Sequence, residues 1–220
     1  MKKFLILAAA FLALNAYAAC PQFYPKSLTV MPVGTVELCN TFFVDRFDKN
    51  NKATVMSSEW LQKSKGSGAV DRVNAFKADA RVGKSSPTNL DYYKSDYDRG
   101  HMAPAGDSHT PEEMKSTFLL TNMTPQEPTL NRNSWKTLEM KIRSEFDADS
   151  VDYKVVTLAM YSHPQMMPGS NIPIPMGYWK IVYKNEVATE FYYALNQPNE
   201  KVRPYTNVDV PTLIKNATNF

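Results

Sequence analysis

Glycine is scarce in this sequence of 220 residues, with 8, histidine is scarcer, with 3, and cysteine is limited to Cys20 and Cys39. Few glycines beside 15 prolines predict stiff loops, because proline holds φ fixed and glycine alone adds free rotation. Two cysteines are too few to build a metal centre by themselves. Runs of one charge sign, internal repeats and low-complexity blocks are all missing. With 43% hydrophobic and 21% charged residues, the chain has an ordinary globular balance. That balance excludes a disordered, collagen-like or long coiled-coil protein. The length suits one domain with a real core. Aromatic residues reach 12% and favour a well-packed fold containing strands.

The apolar run at residues 4–14 is too short to cross a bilayer. Lys2 and Lys3 precede it and Ala16-Tyr17-Ala18 follows it. Residues 1–18 therefore read as a cleavable secretory signal and residues 19–220 as the mature domain. Loss of the leader takes two positive charges from the formal +3 and leaves the mature chain nearly neutral. Polyanion binding would then have to come from a local patch. The expected destination is the periplasm or the cell exterior, with no stable membrane association. There Cys20 and Cys39 are expected to form one disulfide closing a short loop, worth on the order of 3 kcal/mol. Lipidation of Cys20 is the competing use of that residue.

The apolar pattern predicts a strand over 38–44 and another over 54–56, with Ser57-Ser58-Glu59 starting a helix or a turn. Residues 81–98 read as a long polar loop. A short helix is expected at 111–115, capped by Thr110 and led by Pro111, and a short strand at 117–121. The clearest helix spans 132–146, where Trp135, Leu138, Ile142 and Phe146 share one face. Strands follow at 151–161, 179–183 and 190–194, the last two joined through Asn185 as a hairpin. Without regular βαβ alternation the class is α+β with an antiparallel sheet.

His101 stands apart from the other histidines because of Asp98-Arg99-Gly100 directly before it. A neutral imidazole there can take a proton from water. Arg99 can hold a phosphate or pair with Asp98, and Gly100 can adopt backbone angles closed to other residues. An ordinary ion-pair cluster would use the same residues. Asn131 and Glu139 form a second pair, eight residues apart and about 80° out of line on an α-helix. An amide oxygen near a carboxylate suits Mg²⁺, a hard ion that keeps most of its waters. A helix cap at Asn131 and a solvated Glu139 account for the same pair.

Three stretches in register carry more than any residue alone. Asp-Arg-Gly-His-Met-Ala-Pro at 98–104, Thr-Asn-Met-Thr-Pro-Gln at 121–126 and Leu-Asn-x₃-Trp-x₂-Leu-Glu at 130–139 resemble the DNA/RNA non-specific endonuclease family. That family includes sugar-non-specific bacterial nucleases and mitochondrial endonuclease G. The likeness continues through Asp91-Tyr92-Tyr93-Lys94, Val155-Val156-Thr157 and Ile172-Pro173-Ile174-Pro175, and covers most of residues 36–220. It implies a ββα-metal finger within a layered α/β/α domain with a central antiparallel sheet. It also implies hydrolysis of phosphodiester bonds to 5′-phosphate ends, with Mg²⁺ as cofactor and Mn²⁺ as its substitute. DNA and RNA would be the partners, held by their phosphate backbones without base readout.

By the same resemblance His101 is the general base, Asn131 the direct metal ligand and Glu139 the holder of metal-bound waters. Arg99 organises the site or the phosphate, and Asn122 supports it from behind. The family's upstream arginine corresponds to Arg72, with Arg81 as the alternative. Arg132 and Lys136 are expected to track phosphates, while Lys141 and Arg143 are left open. Ala159 stands where the family often has glycine, which puts a local turn in question. His109 and His163 match no motif and read as surface or loop residues. Activity is expected to rise between pH 5 and 8 as His101 loses its proton. Two other functions fit a related scaffold: a phosphodiesterase acting on small nucleotides, and an inactive nucleic-acid-binding protein.

Overall fold

The computed structural model describes residues 19–65 and 70–220; the secretory signal expected at 1–18 lies outside the described residues. Strands β1 (Val36–Cys39), β2 (Phe43–Asp48) and β3 (Ala53–Leu61) are followed by β4 (Asp98–His101), α1 (Pro111–Thr117) and β5 (Met123–Gln126). A π-helical turn (Leu130–Trp135) runs directly into α2 (Lys136–Ala148). Then come β6 (Tyr153–Ser162), β7 (Gly177–Lys184), β8 (Val187–Leu195), β9 (Arg203–Tyr205), α3 (Val210–Asn216) and β10 (Thr218–Asn219). The main sheet runs β1-β2-β3-β6-β7-β8-β9 with antiparallel neighbours, and β10 adds in parallel beside β6. β4 and β5 pair apart from it as a two-stranded ribbon. The class is α+β with a central antiparallel sheet, as the sequence predicted.

The two faces of the sheet have different coverings. On one, Lys180 Nζ donates to Thr157 Oγ1 and lies 5.3 Å from the Trp135 ring, at the start of α2. Trp135, Leu138, Ile142 and Phe146 are all buried on this side, the face their spacing predicted. Each contributes about 1.5–3 kcal/mol by leaving water. On the other face Ser58 Oγ donates to the Phe23 carbonyl and Lys154 Nζ to that of Tyr24, so the N-terminal segment packs there. A disulfide joins Cys20 to Cys39, 19 residues on, and ties this segment to β1. That bond uses the thiol that lipidation would need. Among the described residues no helix is long and apolar enough to cross a membrane.

Local chemistry explains several element ends. Thr110 Oγ1 accepts from the Glu113 N–H at 3.1 Å and Pro111 opens α1. The β7–β8 hairpin turns on Asn185 and Glu186, both at positive φ (48° and 69°), as a tight two-residue turn requires. The loop at 81–98 contains one 3₁₀ stretch, Ala80–Ser85, at its start.

Three expectations are corrected. The strand over 38–44 is two strands, because Asn40 and Thr41 turn the chain and the Asn40 N–H donates to the Phe43 carbonyl. Ser57-Ser58-Glu59 start no helix; they lie buried inside β3, paired to β2 and β6. Pairing on both edges overrides the preference of serine for caps and turns. The strand over 117–121 is not formed, since Thr117 ends α1 and Leu120–Asn122 is a 3₁₀ turn. At Ala159, where the missing glycine puts a local turn in question, the chain runs straight on, opposite Tyr178 in β6.

Candidate active site

The ribbon places His101 opposite Met123 and Asp98 opposite Gln126. Gly100 faces Thr124, and a Cβ on it would come within 2.5 Å of the Gln126 Cβ. Glycine is needed there for close approach and not for an unusual backbone angle, since its φ is not positive. Asn122 braces this strand from behind and is fully buried. Its Oδ1 accepts from the Ala103 N–H, and its Nδ2 donates to the carbonyls of Ala103 and Thr117 at 3.0 and 2.9 Å. The Asn122 carbonyl also accepts from the Met102 N–H. Asn122 thus fixes the backbone just after His101 without lining the cleft described below.

The helical wall begins at Glu127, whose Oε2 accepts from Thr129 Oγ1 and the Leu130 N–H. A carboxylate suits the positive end of a helix. The π turn that follows is wider than an α turn, so each residue advances through a smaller angle. That reduces the mismatch of about 80° expected for Asn131 and Glu139, and both line one cleft. Asn131 Nδ2 donates to Asp98 Oδ2 at 2.8 Å, which leaves Oδ1 as the ligand atom. Asp98 also takes Arg132 Nε and Nη2, at 2.9 and 2.6 Å. It therefore pairs with Arg132 and not with Arg99.

Ribbon and helix enclose a cleft of about 400 Å³. Arg72, Arg99, His101, Asn131, Arg132, Lys136 and Glu139 all meet there, as expected from sequence, and Arg143 joins them. Arg81 is elsewhere, bound to Asp79 and to the Cys39 carbonyl, so the choice falls on Arg72. Arg72 packs over the Phe118 ring at 5.0 Å and Arg99 over that of Phe76 at 4.1 Å. Four arginines and one lysine line the cleft with a single carboxylate. Arg132 and Arg143 are paired with Asp98 and Asp107 beside it, which leaves Arg72, Arg99 and Lys136 as the cations without an ion pair among the described residues. This is the local positive patch that a nearly neutral chain needs to hold a polyanion. His109 and His163 do not line this cleft.

His101 sits edge-on to Phe118, with ring centres 4.9 Å apart, and near Phe76. Its Nε2 is buried without a hydrogen-bond partner among the described residues. Burial, then the nearby Arg72 charge, pushes the imidazole down to about 3. A ring so placed is neutral across ordinary pH, so the loss of its proton between pH 5 and 8 is no longer expected. Glu139 moves the other way. Burial pushes its carboxyl up to about 7, helped by Asp107 and opposed by Lys180, Arg143 and Arg72.

A second group of residues runs from the cleft wall to behind it; the sequence named only Arg143 among them for the site and left its role open. Arg143 Nε donates to Asp107 Oδ1 at 2.6 Å. The guanidinium packs so closely on Gly106 that a Cβ there would be 2.9 Å from Arg143 Cζ. Glu59 is buried with Oε2 unpartnered, and burial followed by the Asp107 charge holds its carboxyl well above the usual range. Arg143 follows Glu139 by one helical turn, a spacing that could have marked it. Asp107 and Glu59 carry no such signal, since only the fold brings them near α2. Cys20, Glu37 and Cys39 have donor atoms close together, but the two sulfurs are bonded to each other and hold no ion.

Comparison with known proteins points to one family. The Nostoc protein named nuclease is 35% identical over 136 residues, covering 60% of this chain and 49% of that protein. Nuclease C1 of Cunninghamella echinulata is 28% identical over 216 residues, covering 84% of this chain and 83% of that one. Human mitochondrial endonuclease G is 36% identical over 101 residues, 44% of this chain and 34% of that protein. This chain thus spans about half or less of the Nostoc and human relatives. The crystal structure of the EndoG/EndoGI complex superposes with a TM-score of 0.66 at 23% identity, covering 80% of this chain and 79% of that one; it shares the fold. The family described as DNA/RNA non-specific endonuclease matches residues 27–219, a stretch that includes both walls of the cleft, and this chain is a member of that family.

Proposed function

We propose that this chain is a Mg²⁺-dependent endonuclease that hydrolyses phosphodiester bonds of both DNA and RNA to 5′-phosphate ends. The observation that carries this reading is one cleft where a neutral imidazole faces an amide–carboxylate pair amid five cationic side chains. His101 is the general base: its imidazole, uncharged and lining the cleft, takes a proton from the water that attacks phosphorus. Asn131 Oδ1 would hold the ion directly and Glu139 would hold its waters. Among the described residues neither oxygen group receives a hydrogen bond, and hard oxygen donors fit Mg²⁺ or Mn²⁺. A bound ion supplies charge stabilisation at the phosphoryl group and the leaving 3′-oxygen.

Arg72 and Arg99, steadied on Phe118 and Phe76, hold the reacting phosphate. Arg132 and Lys136 on the helical wall meet neighbouring phosphates. Contacts of this kind do not read the base, and they ignore the sugar as well. Asn122 positions the His101 strand and touches no reactant. The Cys20–Cys39 bond favours an oxidising compartment, in keeping with export through residues 1–18 to the periplasm or the exterior.

The test is digestion of supercoiled plasmid and of a structured RNA by the purified mature chain, with Mg²⁺ and with EDTA, beside His101→Ala. Both substrates should be lost with Mg²⁺ only, and spared by the variant. A folded, metal-supplied chain that cleaves neither, yet hydrolyses a small dinucleotide ester, would be a small-nucleotide phosphodiesterase. One that cleaves nothing and still binds nucleic acid would be a binding protein.

A further inference from the structure

A second cleft, of about 250 Å³, opens beside the first and shares Arg99 with it. Its walls include Asn89, Tyr92, Tyr93, Lys94 and Tyr97, none of which has a part in the chemistry above. Arg99 is the partition between the two: its Nη1 donates to Asn89 Oδ1 at 2.7 Å. Tyr93 is 66% exposed, and Lys94 Nζ lies 5.2 Å from its ring centre. An exposed aromatic ring, with an ammonium over it that has no ion pair among the described residues, is thus presented next to the phosphate site. The segment that presents it is well anchored. Tyr92 is buried among Leu120, Met123 and Ile172, and Ser95 Oγ donates to the Tyr92 carbonyl while accepting from the Tyr97 N–H. The Asp98 carboxylate, which also borders this cleft, is occupied by Arg132 and Asn131, so it does not repel an incoming anion.

We propose that this second cleft binds the nucleotide next to the scissile phosphate, with its base stacked on Tyr93 and its phosphate met by Lys94. The proposal rests on the first cleft taking a phosphodiester, because Arg99 then fixes where the strand passes from one cleft to the other. Stacking on a tyrosine accepts any base. The second cleft therefore lengthens the grip on the strand without making it sequence-specific.

The experiment uses the His101→Ala chain, which leaves the strand intact, and fluorescence anisotropy of a labelled eight-nucleotide DNA. A companion strand of equal length carries abasic sugars and so keeps the phosphates without the bases. Adding Tyr93→Ala should weaken binding of the normal strand roughly tenfold and leave the abasic strand unchanged, whereas Tyr93→Phe should restore the parent affinity. Adding Lys94→Ala should weaken both strands. Equal affinity of parent and Tyr93→Ala for the normal strand would overturn the proposal, as would a parent that binds neither strand. If the wild-type chain cleaves no nucleic acid but the Tyr93 effect is seen, the nuclease reading falls and the second cleft stands.

Discussion

The cleft has two walls, and burial acts on them in opposite senses. The ribbon presents His101 among aromatic rings, and the helix presents Glu139 among charges. Burial disfavours whichever form of a group is charged. It therefore lowers the imidazole to about 3 and raises the carboxyl to about 7. The ribbon wall is uncharged at any ordinary pH. The helical wall ionises near neutrality, or earlier when a cation supplies the opposite charge. On the proposed reading the pH response of the cleft belongs to the side that would hold the metal, although the histidine is the residue that ordinarily titrates in this range.

The strongest way to break the comparison is to empty the ribbon wall. His101→Ala should lower cleavage by about 10²–10⁴-fold with an unchanged circular dichroism spectrum; a variant that keeps more than about a tenth of the rate would move the base elsewhere. Emptying the helical wall comes next. Asn131→Ala should reduce rate and Mg²⁺ affinity together, and an unaltered Mg²⁺ titration would remove Asn131 from the ligand set.

Two measurements sharpen the contrast in pH. By NMR His101 should show no imidazole titration between pH 5 and 8, while Mg²⁺ affinity rises as Glu139 ionises through about 7. A His101 that titrates near its ordinary 6.5 would erase the difference between the walls. The stability sign follows from the raised Glu139 value. The folded chain holds this proton more tightly than the unfolded one, so stability falls as pH rises from the ordinary 4.5 through about 7. Glu139→Gln should therefore raise the melting temperature of the metal-free protein at pH 8, by roughly 7–14 °C, with no change at pH 4. Asp107→Asn should have the smallest effect. It loosens Arg143 at constant shape, lowers the rate a few-fold and shifts the Mg²⁺ affinity profile to lower pH, because Asp107 helps to hold the Glu139 carboxyl up.

How far the sequence reached differs between elements. The helix face of Trp135, Leu138, Ile142 and Phe146 and the cap at Thr110 were legible because they depend on spacing and on neighbours in the chain. The Asn185 hairpin was legible for the same reason. Ser57-Ser58-Glu59 misled because their strand is made by β2 and β6 on either side, and no local signal reports that. In the site, His101, Asn131 and Glu139 stood out through linked motifs, and Arg72 and Arg99 followed from them. The sequence leaves Arg99 either a phosphate or Asp98, its neighbour, as partner; the structure gives Asp98 to Asn131 and Arg132, 33 and 34 residues away.

The sequence alone determined the class, the helical face, the disulfide partners and the principal residues of the cleft. Each of these is written in short-range periodicity, in composition or in a motif held in register. Only the tertiary structure decided what state those residues are in. A histidine is kept uncharged by burial beside Phe76 and Phe118 and by the Arg72 charge, and a glutamate keeps its proton to near neutrality because burial and Asp107 outweigh Lys180 and Arg143. Charge state depends on everything within a few ångströms from every direction, and in this fold those neighbours come from parts of the chain far apart in sequence.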